Sequence, residues 1–148
     1  MNKSIRNTIA LLGLLPTSLL AQGVQLGTLH VIIEGVKNAK GQVKVGLEKT
    51  AAEFDQGPLH EARYRGETIV SKEGKVELHF QDVPYGSYAI KSFHDEDGNG
   101  QLNTNFMGIP VEDYGFSNNA RGTMGPAKFQ DARFELDAPQ KTITIRLK

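Results

Sequence analysis

The sequence predicts an all-β protein: an antiparallel β-sandwich of about seven strands behind an N-terminal signal peptide. Three observations predict it. Apolar residues recur with a period of two along most of the chain, Gly- and Pro-bearing turn signals separate those runs, and no long stretch carries a helical period. At 148 residues, the chain has the length of one domain with a single packed core. Its 39% hydrophobic and 23% charged content is that of an ordinary globular protein, and this argues against disorder.

The first stretch, "MNKSIRNTIALLGLLPTSLLAQG", sets Lys3 and Arg6 ahead of an apolar run from Ile9 to Leu20, followed by the small residues Ala21 and Gly23. That order is the pattern of a secretory signal. The run is interrupted by Gly13, Pro16, Thr17 and Ser18 and is too short for a spanning helix, which needs roughly 20 apolar residues. Cleavage after Ala21 or after Gly23 is expected, so residues 1–23 are the signal and residues 24–148 the single sandwich domain, with no transmembrane segment in the mature protein. Removing the signal leaves 15 basic against 17 acidic side chains, a formal charge of −2. A near-neutral domain without a basic stripe has no electrostatic footprint for nucleic acid. The absence of cysteine excludes disulfides, thiolate catalysis, Cys-ligated metal and a lipid-modified N-terminal Cys. The expected location is therefore periplasmic or extracellular, not lipid-anchored.

The strands follow in order. In "GTLHVIIEGV", Leu29, Val31 and Ile33 share one face and His30, Ile32 and Glu34 the other; after a turn at Asn38–Gly41, Val43, Val45 and Leu47 repeat the alternation, and the two runs read as a hairpin. A weaker strand lies around Thr68–Val70. "KVELHF" alternates Val76, Leu78 and Phe80 with Glu77 and His79. "SYAIKSF" follows it across "DVPYGS", where Pro84 and Gly86 suit a tight reversal. "ARFEL" and "TITIRLK" close the count with Phe134, Leu136, Ile143, Ile145 and Leu147. Only residues 50–66 suit a short helical turn, which Gly57 and Pro58 interrupt.

Directly after the strand ending at Phe93 comes "HDEDGNGQLNTNF", with oxygen-bearing side chains at every second position: Asp95, Asp97, Asn99, Gln101 and Asn103. A hard cation such as Ca²⁺ takes six to eight oxygens from a loop that bends at glycine, and Gly100 holds the sixth place, as in an EF-hand loop. The twelfth place departs from that pattern, with Phe106 where a bidentate Glu belongs and no flanking helix pair. A cation site here is thus a DxDxN-type loop completed by Asn105, Glu112, Asp113 or a backbone carbonyl. The alternative is a turn without metal, since Asp-Gly and Asn-Gly are strong turn signals in themselves. If an ion binds, oxygen-only ligands favour Ca²⁺ over zinc or copper, and no other cofactor is implied.

His94 adjoins these carboxylates, which suggests a general base or a metal ligand as readily as a strand-end residue. His30, His60 and His79 lie at no ligand spacing, and no nucleophile-elbow, zinc-protease or phosphate-loop motif occurs. No catalytic residue is assigned. The expectation is a non-enzymatic protein, the alternative being an enzyme that acts on a small substrate with His94 and Asp95 or Asp97. Residues 107–136 read mostly as loop, and Phe106, Tyr114 and Phe116 with Asn118 and Asn119 form either a recognition surface or, the favoured reading, a lid packed over one end of the sandwich.

The run "VPYGSYAIKSFHDEDGNGQLNTNFMGIPVEDYGFSNNARGTMGPAKFQDARFEL" resembles the signature of the bacterial secreted proteins grouped as domain of unknown function 2141, and "GTLHVIIEGVKNAKGQVKVGLEK" is similar to their opening strands. The resemblance covers the whole mature chain. It implies an exported β-sandwich and brings no activity with it. "DVPYGSYAI" also resembles the Pro-Gly-Tyr strand entry of prealbumin-like and carboxypeptidase-regulatory-like sandwiches, so the architecture is expected to be immunoglobulin-like or prealbumin-like. The partner expected is a cell-envelope or extracellular ligand bound at the loop end of the sandwich.

Overall fold

The computed structural model describes residues 23–57, 62 and 64–148. The expected signal peptide, apart from Gly23, lies outside the described residues, and so does His60. Among the described residues no helix is long and apolar enough to cross a membrane.

Among the described residues eight strands form two facing sheets. They are β1 (Leu26–Val36), β2 (Gln42–Glu48), β3 (Arg65–Val70), β4 (Gly74–Pro84), β5 (Gly86–Asp95), β6 (Tyr114–Phe116), β7 (Phe134–Leu136) and β8 (Gln140–Arg146). One sheet has the order β4-β1-β8; the other runs β3-β2-β5-β6, with β7 paired to the first residues of β5. The sandwich expected from the alternation is therefore present, with one strand more than expected and one pair that is not antiparallel. β1 and β8 run parallel, from Thr28 opposite Gln140 to Glu34 opposite Arg146. Parallel neighbours need a long crossover, and here the rest of the domain supplies it.

Two connections differ from the expected ones. β1 and β2 are not a hairpin: β1 pairs with β4 and β8, and β2 with β3 and β5. Asn38–Gly41 carries the chain from one sheet to the other. Likewise Pro84–Gly86 joins β4 in the first sheet to β5 in the second, so it is a corner between layers and not a reversal within one. In both cases each strand keeps its apolar face inward, which is all that alternation specifies.

The faces follow the sequence pattern. Leu29, Val31 and Ile33 from β1, Val43, Val45 and Leu47 from β2, Val76, Leu78 and Phe80 from β4, and Ile143 and Ile145 from β8 fill the interior with Tyr88, Ile90, Phe134 and Leu136. The fully buried Tyr88 donates its hydroxyl hydrogen to the Pro84 carbonyl at 2.8 Å, so its polar tip is satisfied within the core. Burial, foremost, raises its pKa well above the ordinary phenol value.

β5 is buried on both faces, because a second layer covers the outside of its sheet. That layer comprises α1 (Ala51–Gln56), a 3-10 turn (Ser117–Asn119) and α2 (Phe129–Ala132), which contribute Phe54, Phe129 and Ala132 to a small cluster with Ala89 and Phe116. The expected helical turn is α1. It starts at a capping box in which Thr50 Oγ1 accepts from the Glu53 N–H and the Glu53 carboxylate accepts from the Thr50 N–H. Ser117 clips the layer to the sheet, accepting from the Ile90 N–H at 2.8 Å and donating to the Ala132 carbonyl.

Candidate functional site

The end of β5 delivers Asp95 to the outer face of its sheet, and the following acidic loop folds back over it. Gly98 and Gly100 take left-handed φ values of 73° and 81°, which let the chain coil tightly. Within the coil, Asp97 Oδ1 accepts from the Asn99 N–H and Asn99 Oδ1 from the Gln101 N–H, while Asp95 Oδ2 accepts from the Gly100 N–H at 2.9 Å. These are side-chain-capped turns, so much of the spacing read in the sequence serves the backbone.

Glu112 closes the loop from its far end. Its Oε1 accepts from the Glu96 N–H and its Oε2 from the Asn103 N–H, both at 2.9 Å. One carboxylate oxygen each of Asp95, Asp97 and Glu112 lie within 4.8 Å of one another. Asp95 is fully buried and its Oδ1 has no hydrogen-bond partner, while Lys44 Nζ stands 3.9 Å from Oδ2. A buried carboxylate with an orphan oxygen, close to two more carboxylates, is electrostatically costly unless cations offset the charge, and Lys44 supplies one. The exposed Asp97 accepts from the side chains of Asn103 and Asn99 at 2.8 and 3.1 Å. The Asn103 amide, first, and the Asn99 N–H hold its pKa below the ordinary value.

Of the five residues expected to ligate, Asp95 and Asp97 thus converge with Glu112. Asn99 and Asn103 flank them and bond to Asp97, whereas the exposed Gln101 contributes its backbone N–H. Of the other late candidates, Asn105 caps the turn at Met107 and Ile109 through Oδ1, and Asp113 pairs with Lys37 at 2.7 Å. That partner raises the Lys37 pKa. His94 is fully buried on the interior face, its Nε2 2.8 Å from the Lys40 carbonyl oxygen. Its ring faces the core and is out of contact with solvent. The aromatic segment divides: Phe116 is buried and Tyr114 half-buried, but Phe106 is 97% exposed, contrary to the favoured packing. The turn capped by Asn105 projects it outward.

Sequence reading missed a second constellation. On the outer face of the same sheet Lys91 and Glu48 form a buried ion pair, Nζ to Oε1 3.2 Å, at the edge of a groove of about 650 Å³. The pair is diagonal across β2 and β5, far apart in the chain, so no local signal announces it.

The fold and the acidic loop define a class: a small, two-layered β-sandwich with a carboxylate cluster at one end. The chain belongs to the family described as "Uncharacterized protein conserved in bacteria (DUF2141)", whose model matches residues 31–144 and so takes in β2 to β7 whole, parts of β1 and β8, and the acidic loop. That description assigns no activity. No curated protein and no solved structure matches the chain.

Proposed function

We propose that this protein is an exported, non-enzymatic binding or structural module of the cell envelope whose acidic loop takes up a divalent cation, Ca²⁺ by its ligand chemistry. The observation that carries the reading is Asp95 Oδ1, an unpartnered oxygen of a fully buried carboxylate beside the carboxylates of Asp97 and Glu112. Three hard anionic oxygens suit Ca²⁺ rather than zinc or copper, and water, carbonyls and the side chains of Asn99, Gln101 and Asn103 would complete six to eight ligands. Bound there, the ion offsets the repulsion among the carboxylates and ties both ends of the loop together.

Export is supported by the basic, apolar and small-residue order of residues 1–23. The non-enzymatic reading is supported by the burial of His94, the histidine that adjoins Asp95 in the chain. Calorimetric titration of the purified protein with Ca²⁺ tests the proposal: one saturable site is expected, absent from Asp95→Asn and weakened in Glu112→Gln. Equal heats from wild type and Asp95→Asn would remove the cation from this loop.

A further inference from the structure

The groove beside Lys91 contains none of Asp95, Asp97 or Glu112, and its argument is independent of the cation reading. It lies on the outer face of the five-stranded sheet, between α1, the chain from Leu102 to Pro110 and the stretch from Gly122 to Ala127. Its volume of about 650 Å³ falls inside the range of small-molecule sites, roughly 300–1,000 Å³. The walls are mostly apolar, with Phe54, Tyr114 and Phe116 on one side and Ile109, Pro110 and Met124 toward the rim, and they include the Asp55 carboxylate, whose Oδ1 accepts from the Phe129 N–H. Met124 is 100% exposed and Ile109 more than half exposed, so the rim leaves apolar surface in water that a ligand would cover.

Against these walls stands the ammonium of Lys91. Lys91 is 1% exposed, its ammonium 3.2 Å from Glu48 and 5.9 Å from the Phe54 ring centre. Its second oxygen contact among the described residues is the Gly57 carbonyl at 3.5 Å, the limit of a hydrogen bond. An ammonium has three N–H donors, so these contacts leave one, and Lys91 is among the residues lining the groove. Gly46 lies opposite Lys91 on β2, where a Cβ would touch Lys91 Cγ at an ordinary 3.5 Å and crowd Ala62 Cβ at 3.0 Å. Burying a lysine is costly, and an apolar side chain would fill this floor at less cost unless the donor has a partner to hold.

We propose that this groove binds a small, mainly apolar molecule through one oxygen acceptor, which takes the free N–H of Lys91. A hydroxyl, a carbonyl or a carboxylate serves as the acceptor, while a cationic ammonium head group carries no acceptor and cannot take this hydrogen. A neutral and an anionic head share that chemistry, and competition separates them.

The experiment loads the purified protein with the fluorescent apolar probe N-phenyl-1-naphthylamine and displaces it with 1-octanol, octanoate or octylamine, which have the same tail and different heads. Displacement by octanol, octanoate or both is expected, whichever competes naming the head group, with octylamine weaker by about tenfold or more. The double variant Ile109→Ser/Met124→Ser, at exposed rim positions, should weaken probe binding by about tenfold or more. Phe106→Ser/Met107→Ser, exposed but outside the groove, should leave it unchanged. Octylamine competing as well as octanol, no displacement by either oxygen-headed compound, or loss of binding in the Phe106/Met107 variant alone would each overturn the proposal.

Discussion

Calcium should make this protein harder to melt, and removing one charge should reverse the ranking of two variants. A ligand at one hundred times its dissociation constant stabilises the folded state by about 2.7 kcal/mol. Unfolding entropy near the midpoint is about 2.1 cal/mol/K per residue, so about 125 residues of sandwich give about 0.26 kcal/mol/K and a rise of about 10 °C. Asp95→Asn keeps an oxygen to accept from the Gly100 N–H while removing the charge whose Oδ1 is orphaned. In EDTA the variant should therefore melt at or above the wild-type temperature; with Ca²⁺ the wild type should overtake it. Mg²⁺, which requires a tight octahedron and sheds water reluctantly, should shift the wild type less. The assay is a scanned melt by circular dichroism in EDTA, millimolar Ca²⁺ and millimolar Mg²⁺. An unshifted wild type, or an equal shift in Asp95→Asn, would refute the argument, since either outcome means the orphan oxygen is not what the ion answers.

Three further outcomes follow from single contacts. The Asp97 carboxyl should titrate below its ordinary 3.8 by carbon-13 NMR and return toward it in Asn103→Ala. Because its pKa is depressed, its contribution to stability is complete above the ordinary value and fades as pH falls below 3.8 through the lowered one. Ser117→Ala leaves the buried Ile90 N–H without its acceptor and should cost about 1–3 kcal/mol in a urea melt; a neutral result would mean that the clip between the covering layer and β5 is dispensable. Phe106→Ser should stay within about 0.5 kcal/mol of wild type, whereas Phe116→Ala, buried against Phe54, should cost about 3–5 kcal/mol; similar losses for the two would contradict their opposite burial.

What the sequence made legible is which side of each strand faces the core, and what it hid is which strand lies beside which. Leu29, Val31 and Ile33 alternate correctly, yet the same alternation suits a β1–β2 hairpin and a β1–β2 pair facing each other across the sandwich. The turn at Asn38 has the same composition in both arrangements, and only long-range pairing, such as Ile33 opposite Val76 and Ile145, decides between them. The acidic loop was legible for the converse reason: Asp95, Asp97 and Asn103 are close in the chain and their chemistry is local. Glu112 appeared as one of several late candidates, and its selection needed the fold, since its two bonds to Glu96 and Asn103 N–H groups depend on where the chain returns. The alternation sets Lys91 on the face of its strand opposite Tyr88 and Ile90, and says nothing of what covers that face. The layer that hides it is built from Phe54, Phe116 and Phe129, which no periodic pattern links to β5.

The acidic loop and the groove meet in one structural element, and that sets a condition on both. The chain from Asn103 to Val111 is a small hairpin, closed by the Val111 N–H on the Asn103 carbonyl, a bridge between Thr104 and Pro110, and the Asn105 N–H on the Ile109 carbonyl. Its base is held by Glu112, and its side supplies Thr104, Ile109 and Pro110 to the groove wall. A cation that draws Glu112 toward Asp95 and Asp97 thereby fixes the base, and a ligand in the groove presses on the same hairpin from the other side. Linkage then requires reciprocity: if Ca²⁺ tightens octanol binding by some factor, octanol must tighten Ca²⁺ binding by the same factor, and couplings of this kind usually span about 5- to 150-fold. Titrating each ligand with and without the other measures both limbs. A factor of one in both would mean that the two backbone bonds to Glu112 already hold the hairpin rigid without the ion. The loop would then be a structural cation site that leaves the groove unchanged, and the ion would act on stability alone.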